Sequence, residues 1–93
     1  MNLASTLQKI KNNNFIIIGR AGVDIYPDPP GTKTELASKF VTYLGGSSAN
    51  IAVALTKLGG RCKLLTSVSD DALGRLALNQ LNSYNVDTTL VSS

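Results

Sequence analysis

The run GGSSANIAVALTKLGG, residues 45 to 60, decides the fold. Its middle is built from small and straight-chain residues that favour helix, with Thr56 and Lys57 as the clearly polar later positions. The pattern predicts a largely buried helix. Gly59 and Gly60 stop it, having the positive-φ capability expected just beyond a helix C-terminus. At the other end, paired glycines let a ligand approach the backbone, the first turn presents amides without intrahelical partners, and Asn50 adds a side chain that donates and accepts. Such a start suits hydroxyl groups or an anion, and a glycine-containing turn with a serine cap is the plain alternative. No lysine follows at P-loop spacing, which disfavours a mononucleotide phosphate cradle.

Strand signals flank this helix on both sides. Upstream, Phe15 to Ile18 is a continuous apolar run bounded by Gly19, suited to a central strand buried on both faces. Downstream, Cys62 to Val68 reads as a second strand, after which Ser69, Asp70 and Asp71 offer cap oxygens to the next helix. Leu73, Leu76, Ala77, Leu81 and Tyr84 carry that helix at its natural spacing. Gly74 within it implies close approach to a neighbouring backbone, and Asn85 can cap its end. Val86 to Val91 is a further extended segment.

Between the first strand and the decisive helix, Pro27, Asp28, Pro29, Pro30 and Gly31 require a loop and exclude helix interior and central sheet. Within Glu35 to Leu44, the residues Phe40, Thr42 and Leu44 alternate with Val41 and Tyr43 as in a half-buried strand. At the start, Leu3, Leu7 and Ile10 predict a short amphipathic helix ended by Asn12, Asn13 and Asn14, an appendage over residues 1–14. The order of elements indicates an α/β fold, mainly a parallel sheet with crossover helices.

A chain of 93 residues holds one small domain, and a composition 43% hydrophobic and 16% charged is that of a packed globular protein. There is no histidine and a single cysteine, so the usual general base, disulfides and thiolate zinc sites are excluded. Nine cations against six carboxylates invite the thought of nucleic acid, but they are spread along the chain with few aromatics between them, and no nucleic-acid partner is expected. No apolar run is long enough to cross a bilayer, and the start lacks a secretory pattern, so the expected compartment is the cytoplasm.

Two more clusters bear on chemistry. GRAGVD, residues 19 to 24, stands where the first strand ends, and ligands of open α/β sheets bind beyond strand carboxyl ends; Asp24 is therefore a candidate acceptor for ligand hydroxyls, or simply a turn cap. SDDALGR, residues 69 to 75, is ordinary capping chemistry. Cys62 reads as an inert buried thiol, and the serines have no histidine to activate them.

Taken together, GRAGVDIYP, YLGGSSANIAVALTKLGG and VSDDALGR resemble the amino-terminal portion of the PfkB family of carbohydrate kinases, also called the ribokinase family. Within it, RAGVDIYP is most similar to the branch that phosphorylates a sugar acid of inositol catabolism. The resemblance implies a partial ribokinase-like fold in which residues 25–44 form the lid and turn region. It implies ATP-dependent transfer of a phosphoryl group to a sugar or sugar-acid hydroxyl. On that pattern Asp24 and Asn50 bond substrate hydroxyls, Gly45 and Gly46 let the sugar lie against the backbone, and Arg20 joins them. Ser48 departs from the family's Gly, Ala or Pro, and is expected to loosen the turn without removing a ligand group.

The family's GAGD-type run, with its anion hole and catalytic base, does not occur in these 93 residues, nor do its nucleotide-binding residues. ATP and Mg2+ belong to the full-length family, and neither is expected to bind this chain alone. Residues 1–93 are thus expected to be a kinase amino-terminal fragment, inactive by itself and prone to self-association or to pairing with a missing carboxyl-terminal segment. A nucleotide-binding module and a non-catalytic remnant packed on another chain are the competing readings.

Overall fold

The computed structural model describes residues 2–93. Helix α1, Leu3–Lys11, is capped by Asn2, whose side chain accepts from the Ser5 amide at 2.8 Å. It buries none of its own residues and meets the domain at its end, where the Lys11 stem and the Ile10 side chain lie over Gly59 and Gly60. Strand β1, Asn14–Ile18, pairs in parallel with β4, Arg61–Ser67, and β4 pairs in parallel with the short β5, Val91–Ser92. Between β1 and β4 the chain builds an antiparallel hairpin, β2 Gly22–Asp28 and β3 Lys39–Gly45, and then helix α2, Ser47–Lys57. Helix α3, Ala72–Ser83, links β4 to β5.

The sheet order β1-β4-β5 steps twice in one direction through helical crossovers. Crossovers of fixed hand put both helices on the same face. The core forms there, from Ala49 and Ala52 of α2, Cys62 and Leu64 of β4, Leu81 of α3 and Val86, with Phe15 and Ile17 of β1 packed against it.

That one-sided layering corrects two expectations. Within these residues β1 is one of the two outer strands and is covered on one face only, with Ile16 and Ile18 61% and 73% exposed. Likewise α2 buries a stripe, Ser48, Ala49 and Ala52, while Ile51 on its far side stays half exposed, because a helix on a single sheet layer has one face to hide.

Two boundaries differ as well. β2 runs through Pro27 to Asp28, into the segment expected to be loop; a two-stranded hairpin has only outer strands, where a missing amide is tolerated. β3 starts at Lys39 after a 3-10 turn over Thr34–Leu36, and its side chains from Lys39 to Tyr43 are exposed where a half-buried strand was expected. After α3 the extended segment is broken, since the Asp87 carboxylate accepts from the amide and hydroxyl of Thr89 and turns the chain before β5 begins. Gly59, at φ 98°, ends α2 as expected, and Asn85, at φ 65°, lies just past α3. A Cβ at Gly74 would collide with the Ser69 carbonyl, which is the close backbone approach that the glycine implied.

Candidate functional site

The candidate residues meet where β1 ends, the hairpin departs and returns, and α2 begins. Gly22 and Gly45 face each other across the base of the hairpin. Asp24 is two residues into β2, opposite Tyr43, so it stands on the hairpin and not at the carboxyl end of β1 as its sequence position suggested. Its carboxylate folds back over Gly45: a Cβ added there would lie 2.6 Å from the Asp24 Cγ. Glycine is what allows this acid to sit beside the start of α2.

Gly46 is the N-cap of α2, at φ 94° and ψ 134°, and no side chain caps the helix. The Asn50 amide already bonds the Gly46 carbonyl, which leaves the three amides before it without an intrahelical acceptor. Ser47 and Asn50 are the exposed residues of this turn, whereas Ser48 and Ala49 are buried. A Cβ at Gly46 would run into the Arg20 carbonyl, so the connection after β1 presses directly on the helix cap.

Ser48 holds that connection in place. Its Oγ accepts from the Arg20 amide at 3.2 Å and donates to the Ile18 carbonyl at 3.5 Å. The expectation that serine loosens the turn is therefore overturned, because the hydroxyl ties α2 to the end of β1. Sequence reasoning missed this role, since the partners lie 28 and 30 residues away and no local pattern signals them. Arg20 has its backbone fixed in this way while the residue itself is exposed. The structure thus brings Asp24, Gly45, Gly46 and Arg20 into one contiguous patch, with Asn50 one turn into the helix that rises from it.

The start of α3 lies next to the same region but is closed. Asp71 caps it by accepting from the Gly74 amide at 2.8 Å, and the Ser69 hydroxyl donates to the same carboxylate oxygen at 2.7 Å. These two bonds, the serine first, hold the Asp71 carboxyl below the ordinary carboxylate value. Asp70 makes no contribution to that cap. Among the described residues no three acidic, thiol or imidazole side chains cluster into a cation site. Among the same residues no helix is long and apolar enough to cross a membrane.

Comparison with known proteins agrees with this architecture. Residues 12–93 match the model of the pfkB family carbohydrate kinases. The 5-dehydro-2-deoxygluconokinase of Photobacterium profundum is 46% identical over 68 residues, a match that takes in 73% of this chain and 20% of that protein. The chain thus spans about a fifth of the length of that curated relative. Among solved structures, a PfkB family carbohydrate kinase from Listeria grayi superposes with a TM-score of 0.80 at 27% identity, over 87% of this chain and 25% of that one. The aminoimidazole riboside kinase of Salmonella enterica, solved with aminoimidazole riboside and an ATP analogue, gives 0.72 at 30% identity, over 87% of this chain and 26% of that one. Mixed α/β layering, the hairpin before α2 and a family match over most of the sequence all point one way: the chain belongs to the pfkB family of carbohydrate kinases.

Proposed function

We propose that these residues form the sugar-recognition part of an ATP-dependent kinase acting on a sugar acid of the 5-dehydro-2-deoxygluconate type. The observation that carries the reading is the Asp24 carboxylate folded over Gly45, beside a helix start that no side chain of its own caps. A carboxylate accepts from hydroxyls, and open amides donate to oxygen, so the pair reads a polyhydroxylated ligand from both sides. Asn50 supplies a further donor and acceptor, and Arg20 is a cation suited to the carboxylate of a sugar acid. Asp24 positions hydroxyls in this reading and does not act as the base.

Phosphoryl transfer depends on electrostatic stabilisation of the transferring group, and no residue here is assigned that task. ATP and Mg2+ would be held by sequence outside this stretch. The open sheet face around Ile16, Ile18 and Leu65 would be covered there too, or by a second copy when the chain is alone. Calorimetric titration of the 93-residue chain with 5-dehydro-2-deoxygluconate and with ATP tests the reading, with light scattering for association. Binding of the sugar acid alone supports it; binding of ATP alone would replace it with a nucleotide module, and binding of neither with a non-catalytic packing role.

A further inference from the structure

The hairpin face that carries Asp24 carries a second kind of chemistry. Antiparallel partners point to the same side, and the register pairs Asp24 with Tyr43 and Tyr26 with Val41. These four side chains therefore share one face. The opposite face is accounted for at its base, where Leu44 packs against the core and its partner Val23 lies beside Leu73 and Gly74 of α3. On the Asp24 side, the rings of Tyr26 and Tyr43 meet edge to face, with centroids 5.7 Å apart and planes at 63°. That contact fixes both rings although they are 50% and 57% exposed. With Val41 and Pro30 they wall a groove of about 530 Å³. Tyr43 is the member of the row that stands directly across from Asp24.

A carboxylate alone distinguishes ligands only by their hydroxyls. An aromatic wall next to it recognises what the hydroxyls leave behind, the apolar C–H side of a carbohydrate, and shields the charged hydrogen bonds from water. The same carboxylate repels an anionic group, so the row Asp24, Tyr43, Tyr26 suits the polyol part of the sugar acid, whose own carboxylate is left to Arg20.

We propose that Tyr43, held in place by Tyr26, is a specificity-determining residue that takes the C–H face of the sugar acid whose hydroxyls bond Asp24. The inference rests on Asp24 being the hydroxyl-binding acid. The test is calorimetric titration of the 93-residue chain and four variants with 5-dehydro-2-deoxygluconate. Tyr43→Ala weakens binding about tenfold, in line with the loss of one aromatic contact, and Tyr43→Phe, which keeps the ring, stays within about twofold. Ile25→Ala, on the other face of β2, controls for the hairpin's integrity and leaves affinity unchanged. Tyr43→Ala binding as tightly as the unsubstituted chain, while Asp24→Asn still loses the ligand, would overturn the role of Tyr43 and spare that of Asp24. Equal losses for Tyr43→Ala and Ile25→Ala would also overturn it, since they mark a merely structural part. So would a Tyr43→Ala chain that changes from dimer to monomer with unchanged affinity, which would make the face an interface between copies. Absence of binding by the unsubstituted chain overturns both this inference and the sugar-binding reading beneath it.

Discussion

The two crossover helices begin in opposite ways. α3 is closed by its own sequence: Asp71 takes the Gly74 amide, Ser69 supports Asp71, and the backbone of Ser69 packs against Gly74. α2 starts on Gly46 with no side-chain cap, and its neighbours are glycine, an acid from the hairpin and the connection after β1. Both starts have glycine within a few residues, yet the glycines do different work. Gly74 admits the protein's own backbone, whereas Gly45 admits the side chain of Asp24, the acid proposed to accept from ligand hydroxyls. A helix start that satisfies itself serves stability, and one left open by glycine is free to serve a ligand.

Substitutions at the two starts sharpen this contrast. The largest effect is expected for Gly46→Val, which must adopt a left-handed backbone and push its Cβ into the Arg20 carbonyl. Sugar-acid binding should fall below detection in calorimetry; retention of normal affinity would remove the need for close backbone approach there. Gly74→Ala should cost about 3 kcal/mol of stability, because the Ser69 backbone must move aside. Denaturant unfolding measures it, and the affinity of the remaining folded protein should be unchanged.

Asn50→Ala should weaken sugar-acid affinity by about 1–3 kcal/mol, the cost of one or two lost hydrogen bonds, with an unchanged midpoint of unfolding. A drop in stability equal to the drop in affinity would move Asn50 from the ligand to the fold. The smallest effect belongs to the Asp71 cap and depends on pH. Its carboxyl is held below the ordinary value of 3.8 in the fold, so the unfolded chain binds more protons in that window. The stabilisation is present above 3.8 and is lost as pH falls through the lower native value. Thermal melts between pH 5 and pH 2.5 should therefore slope less steeply for Asp71→Ala than for the unsubstituted chain, roughly in proportion to the cap's share. The slope should not vanish, because Asp87, bonded to Thr89, is lowered for the same reason.

Local chemistry explains what was legible in the sequence. Gly59 as the stop of α2, Asp71 as the cap of α3 and Gly74 as a close approach each depend on residues a few positions away, so the pattern contains its own cause. The sequence named Arg20, Asp24, Gly45 and Gly46 as candidates, but it put Asp24 at the end of β1 and not on the hairpin. Nothing local says that Asp24 leaves the sheet and returns to Gly45 on a hairpin, because that depends on pairing β2 with β3, which sets Asp24 opposite Tyr43. Ile16 and Ile18 failed for a related reason: an apolar run shows that a strand can be buried, while which faces are covered is set by helices elsewhere in the chain. The tyrosine face was not legible either, since alternation over Phe40 to Leu44 does not reveal which set of side chains joins Asp24.

The hairpin has a property of its own that follows from how it is attached. It leaves the main layer at Gly22 and re-enters at Gly45, two residues that sit side by side, with Ser48 fastening the strand before it to the helix after it. In topological terms it is an insertion with adjacent ends, spliced into a β-α unit that would close without it. Lengthening the tip between Asp28 and Lys39 then adds only a slowly growing entropic term, about 0.6 kcal/mol for each doubling of loop length, and leaves the register of β1 and β4 untouched. Whole hairpins, from Gly22 to Gly45, exchanged between relatives are therefore expected to carry with them whatever ligand contacts Asp24 and Tyr43 make, as transplantable modules.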